Sequence, residues 1–89
     1  MADTDIAHVG LAQAVARFPE AATALQRLAL TDAVFREICE EYALAQESLA
    51  LFEARPDAAE RPEIGDYRVI IAEIEGEIER RLKPARLKG

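Results

Sequence analysis

Two runs of apolar residues, spaced alternately three and four positions apart, most strongly constrain how this chain can fold. The first run consists of Phe35, Ile38, Tyr42, Ala45, Leu49 and Phe52. The second run consists of Tyr67, Ile71, Ile74 and Ile78, with Leu82 continuing its apolar face. This spacing places each run along one stripe of an α-helix and is typical of helices that pair as a coiled coil. The sequence therefore predicts two long helices.

Proline and capping residues divide the chain into segments of a single all-α domain spanning residues 1–89, which is too short for two domains. Pro19 suits the first turn of a helix, Thr31 or Asp32 can cap the next, and Asp66 is the expected cap of the last. In chain order we expect a weak amphipathic segment at 6–18, a short helix at 19–30, a long helix at 31–54, a polar loop at 55–65, a long helix at 66–83 and a basic tail at 84–89.

If the loop folds so that the long helices run antiparallel, a single register pairs the two apolar runs. The predicted pairs are Phe52 with Tyr67, Leu49 with Ile71, Ala45 with Ile74, Tyr42 with Ile78 and Ile38 with Leu82. Arg80, Arg81 and Lys83 then lie alongside Asp32, Glu37 and Glu41, a charge arrangement that favours the same orientation. The predicted fold is an antiparallel coiled-coil hairpin with a short N-terminal helix packed on it.

Four large apolar residues fall outside this pairing. They are Leu44, Leu51, Val69 and Ile70. Either the N-terminal segment covers some of them or another copy of the chain does. If such side chains stay exposed to water, the chain loses several kcal/mol of hydrophobic free energy, at about 25 cal/mol per Å2 of apolar area. This loss is comparable to the whole stability of a small domain. We therefore expect these residues to form an interaction surface and the protein to be a homo-oligomer.

Charge and composition restrict the compartment and the partners. The net charge is −6, which repels nucleic acid and anionic lipid at long range. Asp3 and Asp5 stand where a signal peptide would carry basic residues, and no apolar stretch approaches the roughly 20 residues of a membrane span. A single cysteine excludes an intramolecular disulfide framework. We expect a soluble cytoplasmic protein with no membrane association.

The residues that could act in catalysis or bind a metal do not form a recognisable catalytic or metal-binding motif. His8 is the single histidine, and Glu40 and Glu41 beside Cys39 would raise its pKa rather than activate the thiol. The sequence therefore predicts no catalytic residue, no cofactor and no metal site. The basic residues at the C-terminal end are Arg80, Arg81, Lys83, Arg86 and Lys88. They fit an intramolecular or solvated role better than an acidic partner, and an acidic partner better than nucleic acid.

The spacing of several residues between 18 and 82 also resembles a known family. The matching positions are Phe18-Pro19-Glu20, Leu25, Leu28, Asp32, Phe35, Glu41-Tyr42, Tyr67, Ile71, Glu73, Ile74, Glu77-Ile78 and Leu82. This pattern resembles the small YdcH-like family of bacterial helical hairpins, whose function is unknown. The resemblance implies a helical hairpin and supplies no catalytic residues.

These observations together predict a small non-enzymatic helical protein that self-associates through apolar helix faces. Two alternatives stay open: an adaptor or regulator that binds a larger protein partner, and, less favoured, a nucleic-acid-associated factor that uses the basic tail.

Overall fold

The structure, a computed structural model, describes residues 5–82, and within that range it contains helices, turns and no strand. The four α-helices are α1 (Ile6–Arg17), α2 (Ala22–Thr31), α3 (Ala33–Glu53) and α4 (Pro62–Leu82). A three-residue 3-10 turn precedes α2 at Pro19–Ala21, and a second precedes α4 at Ala58–Glu60. The all-α class predicted from the sequence is confirmed.

Aspartate side chains fix where α1 and α3 begin. Asp5 Oδ1 accepts a hydrogen bond from the backbone N–H of Ala7 at 3.1 Å. Asp32 Oδ1 accepts from Val34 N at 3.0 Å and from Phe35 N at 3.1 Å, so Asp32 rather than Thr31 caps α3. Each cap satisfies N–H groups that have no partner inside the helix, which is worth about 1 kcal/mol.

The last helix begins at Pro62, one turn before the expected cap at Asp66. Proline suits this position because the N–H group of the first helical residue would have no hydrogen-bond acceptor within the helix. The guanidinium of the preceding Arg61 donates hydrogen bonds to Glu63 Oε1 and Oε2 at 3.0 and 2.9 Å. These bonds connect the residue before the helix to its first turn. The connection between α3 and α4 is therefore shorter than the predicted loop at 55–65.

The first helix packs unusually closely against α3, and a glycine makes this possible. α1 is continuous through Gly10. A Cβ atom added at Gly10 would overlap the backbone carbonyl oxygen of Cys39. The buried residues of α1 are Ala7, Gly10 and Ala14, so the whole contacting stripe is small. Small residues let the two backbones approach, and α1 covers one side of α3.

The hydrophobic core occupies one end of the molecule. The largest fully buried side chains are Phe35, Leu25, Ile78 and Cys39. α3 has no buried residue after Ala45, and Ile78 is the one buried residue of α4. We call the end containing this core the base and residues 46–73 the tip. The seam residues of the tip, such as Leu49 and Ile71, are half-buried.

The contacts between α3 and α4 join the end of one helix to the beginning of the other. Near the tip the rings of Phe52 and Tyr67 stack with centroids 5.9 Å apart. At the base Arg81 Nη1 lies 3.0 Å from Asp32 Oδ2, which matches the predicted proximity of Arg81 to Asp32. The other two predicted acidic neighbours, Glu37 and Glu41, are exposed.

The close approach of α1 can be tested by substituting glycines. Gly10→Ala should lower the free energy of unfolding by about 1–3 kcal/mol, because the overlap with Cys39 outweighs the better helix propensity of alanine. Gly65→Ala is the matched control, since Gly65 is exposed in α4 and has no atom within 4 Å of an added Cβ. It should raise stability by up to about 1 kcal/mol. Urea unfolding measures both, and equal stabilisation by the two substitutions would contradict the packing described.

Candidate interaction surface

All four residues of the predicted interaction surface are exposed. Leu44 and Leu51 lie on α3, Val69 and Ile70 lie on α4, and their exposed fractions range from 41% to 66%. Among the residues that the structure describes, the N-terminal helices leave every one of these four side chains open to solvent. Large apolar side chains grouped at one end of a small protein are characteristic of interaction sites.

The side of the molecule away from α1 carries three of the four. α1 contacts α3 at Cys39 and reaches α4 through Arg17, whose Nε lies 3.4 Å from Glu75 Oε1. At about 100° per residue, Leu44 and Leu51 lie roughly 120–140° round α3 from Cys39. Ile70 lies roughly 140° round α4 from Glu75. We call this side, with Leu44, Ser48, Leu51 and Ile70, the open flank.

Val69 does not share the open flank. It precedes Ile70 by one residue and so lies about 100° further round α4, on the helix face opposite the one that contacts α3. It is 57% exposed there. The four predicted residues therefore form a three-residue group on one side of the molecule and a separate residue on its outer face.

A crevice runs along the tip end of the open flank. It has a volume of about 200 Å3 and is lined by Ser48, Leu51, Phe52 and Arg55. The Arg55 guanidinium is held by Asp57, with Nε 2.9 Å from Oδ1. This hydrogen bond and the charge of Arg55 lower the pKa of the Asp57 carboxyl below its usual range. The crevice extends the apolar surface of Leu51 towards the ring of Phe52.

Acidic side chains border the apolar residues of the open flank. Glu41 precedes Leu44 by three residues, while Asp66 and Glu73 lie four before and three after Ile70, all at spacings that make neighbours on a helix surface. These three and Glu37 are exposed, and none has a basic partner within 4.0 Å among residues 5–82. The open flank therefore combines exposed apolar side chains with acids that have no basic partner among residues 5–82.

The side facing α1 has a different character, because two of its acids, Glu53 and Glu75, are paired. Glu75 contacts Arg17 and also accepts a hydrogen bond from the Tyr42 hydroxyl at 2.8 Å. Arg68 Nη2 lies 2.8 Å from Glu53 Oε2 on the same side of the helix pair. Burial, together with the neighbouring Glu75, raises the pKa of the Tyr42 phenol, so this hydroxyl stays a donor. One polar link thus connects α1, α3 and α4.

The predicted basic tail is divided between the helix and the residues after it. Arg80 and Arg81 belong to α4 and pair with acids of the chain itself, Arg80 with Glu77 at 2.7 Å and Arg81 with both Glu77 and Asp32. These arginines lower the pKa of the Glu77 carboxyl. The remaining three, Lys83, Arg86 and Lys88, lie outside the described residues.

A second exposed apolar corner was not predicted from the sequence. Leu30, at the end of α2, is 82% exposed, and Val34 is exposed near the start of α3. A groove of about 350 Å3 adjoins them, lined by Asp5, Ala7, His8, Leu11, Gln26, Ala29, Leu30, Arg36 and Cys39. Helical periodicity could have revealed Leu30, because it lies about 140° round α2 from the buried Leu25.

The single cysteine is placed for packing rather than reactivity. Cys39 is buried between α1 and α3, and burial, with a smaller contribution from Glu40, raises the pKa of its thiol to about 11. The thiolate, which is the reactive form, is therefore scarce near neutral pH.

The described range, residues 5–82, contains no group of three or more His, Cys, Asp or Glu side chains placed to hold a metal ion. No helix in it is both long and apolar enough to cross a membrane.

No protein-family model matches the chain, and no curated protein or solved structure is significantly similar to it. The resemblance to the YdcH-like family therefore stays a prediction carried by the spacing of the residues.

Proposed function

We propose that this chain is a small, non-enzymatic helical interaction protein that self-associates through the apolar residues of its tip and open flank. The observation that carries the proposal is a mismatch between the core and the helices. The core ends near Ala45 and Ile71, but α3 and α4 continue for several turns and carry Leu51, Val69 and Ile70 to the surface, while Leu44 is exposed beside the end of the core. A second copy supplies the missing cover.

The free energy available from covering these residues supports the proposal. Complete burial of one such side chain contributes about 1.5–3 kcal/mol, and these four are roughly half exposed, so covering them yields about 3–6 kcal/mol per chain. A single core of this size rarely supplies more than about 3–5 kcal/mol. Self-association would therefore contribute as much as the fold itself.

The architecture we propose is an antiparallel coiled-coil hairpin of α3 and α4 with α1 packed against it. The ring stack of Phe52 on Tyr67 at the tip and the ion pair of Arg81 with Asp32 at the base support the antiparallel direction. The hydrogen bond from Tyr42 to Glu75 lies between them and is compatible with the predicted register. The close contact of Gly10 with Cys39 supports the placement of α1.

The proposal also includes the YdcH-like family and the cytoplasmic location. Three residues of the resemblance have structural roles that suit a shared fold: Phe18 and Phe35 are buried, and Asp32 caps α3. A single buried cysteine with a protonated thiol suits a reducing compartment.

The hairpin register predicts which engineered cysteines react with each other. In a Cys39→Ala background, the pair Leu49→Cys with Ile71→Cys should form a disulfide on mild oxidation, because facing seam positions can approach the required Cα separation of about 4.4–6.8 Å. The pair Leu49→Cys with Ile78→Cys is the control and should stay reduced. Gel mobility with and without reductant measures both, and the reverse preference would refute the register.

Self-association predicts a concentration-dependent mass. Light scattering at micromolar concentration should give at least twice the 9.8 kDa of one chain. Leu51→Glu combined with Ile70→Glu should shift the protein towards monomer, because each carboxylate would lose its hydration in the interface without a partner.

Leu30→Glu combined with Val34→Glu is the matched control, since it places the same charges on the other exposed apolar corner. This variant should keep the mass of the unaltered protein. A stable monomer before any substitution would rule out self-association, and equal loss of assembly in both variants would show that the surface is wrongly located.

A further inference from the structure

The charges of the open flank determine what can cover it. Two copies packed flank against flank would bring Glu41, Asp66 and Glu73 of one copy towards the same acids of the other. Like charges in an interface oppose association, and they cost more as water is excluded. The open flank therefore needs a partner that carries both apolar and positively charged side chains.

The residues that follow α4 have this composition. Residues 83–89 have the sequence Lys-Pro-Ala-Arg-Leu-Lys-Gly, with three positive charges and no acid. Leu87 stands between Arg86 and Lys88, so one apolar side chain is flanked by two cations. The open flank offers the complement, with Leu44 beside Glu41, and Ile70 between Asp66 and Glu73.

We propose that the open flank of one copy binds residues 83–89 of a second copy, and that the exchange is reciprocal. Leu87 then packs on the apolar residues of the flank, while the three cations lie against its acids. Because the same two copies exchange tails with each other, the assembly is a closed dimer rather than an open chain. The inference rests on the proposed self-association and specifies the segment that performs it.

The direction of α4 indicates that the tail on the open flank comes from a second copy and not from the same chain. In the proposed hairpin α4 runs from tip to base, so the chain leaves Leu82 moving away from Leu51 and Ile70. Leu51 stands about 20 Å above the level of Leu82, at 1.5 Å per helical residue. The five residues from Leu82 to Leu87 span at most about 17 Å when fully extended, and reversing direction shortens this reach. Leu87 of the same chain therefore cannot reach Leu51.

A charge-exchange experiment tests the proposal. One variant reverses the tail with Lys83→Glu, Arg86→Glu and Lys88→Glu, and another reverses the flank with Glu41→Lys, Asp66→Lys and Glu73→Lys. Each variant alone should dimerise with a Kd raised by at least about tenfold, because tail and flank then carry the same sign of charge. An equimolar mixture should form a heterodimer with a Kd near that of the unaltered homodimer. Sedimentation with one fluorescently labelled chain measures all three.

A chain carrying all six substitutions completes the design, and it should regain the homodimer. If this chain dimerises but the mixture forms no heterodimer, the tail acts within its own chain and the exchange is refuted. If the tail-reversed variant dimerises like the unaltered protein, the tail is not the occupant. Thermal unfolding of each variant shows that it is folded before its mass is interpreted.

The same series separates this inference from the function on which it rests. An unaltered protein that stays monomeric contradicts the proposed self-association. An unaltered protein that dimerises, but whose reversed variants show no selective pairing, contradicts the tail exchange alone.

Discussion

The structure depends on the backbone contact between α1 and α3 at Gly10 and Cys39. Because no side chain separates the helices there, α1 packs closely against one side of α3 and buries Cys39. Leu25 of α2 and Ile78 of α4 complete the same core. A short helix placed so closely can cover one side of α3 and no more. Among residues 5–82 no helix covers the opposite side, which is why Leu44, Leu51 and Ile70 are exposed.

The distribution of charge follows this asymmetry. On the side that α1 covers, Glu75 is paired with Arg17 and bonded to Tyr42, so its charge is compensated inside the chain. On the open flank, Glu41 and Glu73 have no basic partner among the described residues. Apolar side chains favour association and unpaired acids prevent association with an identical surface. The combination selects a basic, partly apolar partner, and the residues after Leu82 are the part of this chain that meets both conditions.

The sequence pattern was sufficient to predict the all-α class and the proximity of Arg81 to Asp32. It offered Asp32 as one of two possible caps, and it placed the four candidate interaction residues outside the paired seam without deciding what covers them. These features depend on spacing along one or two helices. The start of α4 at Pro62 was missed because the loop was expected to extend to Gly65, whereas Arg61 anchors the first turn through Glu63. The role of Gly10 and the separation of Val69 from Ile70 were missed as well. The first depends on where α1 lies on α3, which no pattern within α1 reports. The second follows from the roughly 100° between neighbouring residues of α4 and could have been read from the sequence.

Site-resolved amide hydrogen exchange as a function of protein concentration tests the central claim, that the tip is under-packed until a second copy covers it. At low micromolar concentration or below, amides of the tip, such as those of Leu49 and Ile70, should exchange much faster than those of Phe35 and Ile78. Their protection should rise as the concentration rises, while that of the base stays constant. Uniform protection of both ends at every concentration would contradict the account, because it would mean that the single chain already completes its own core.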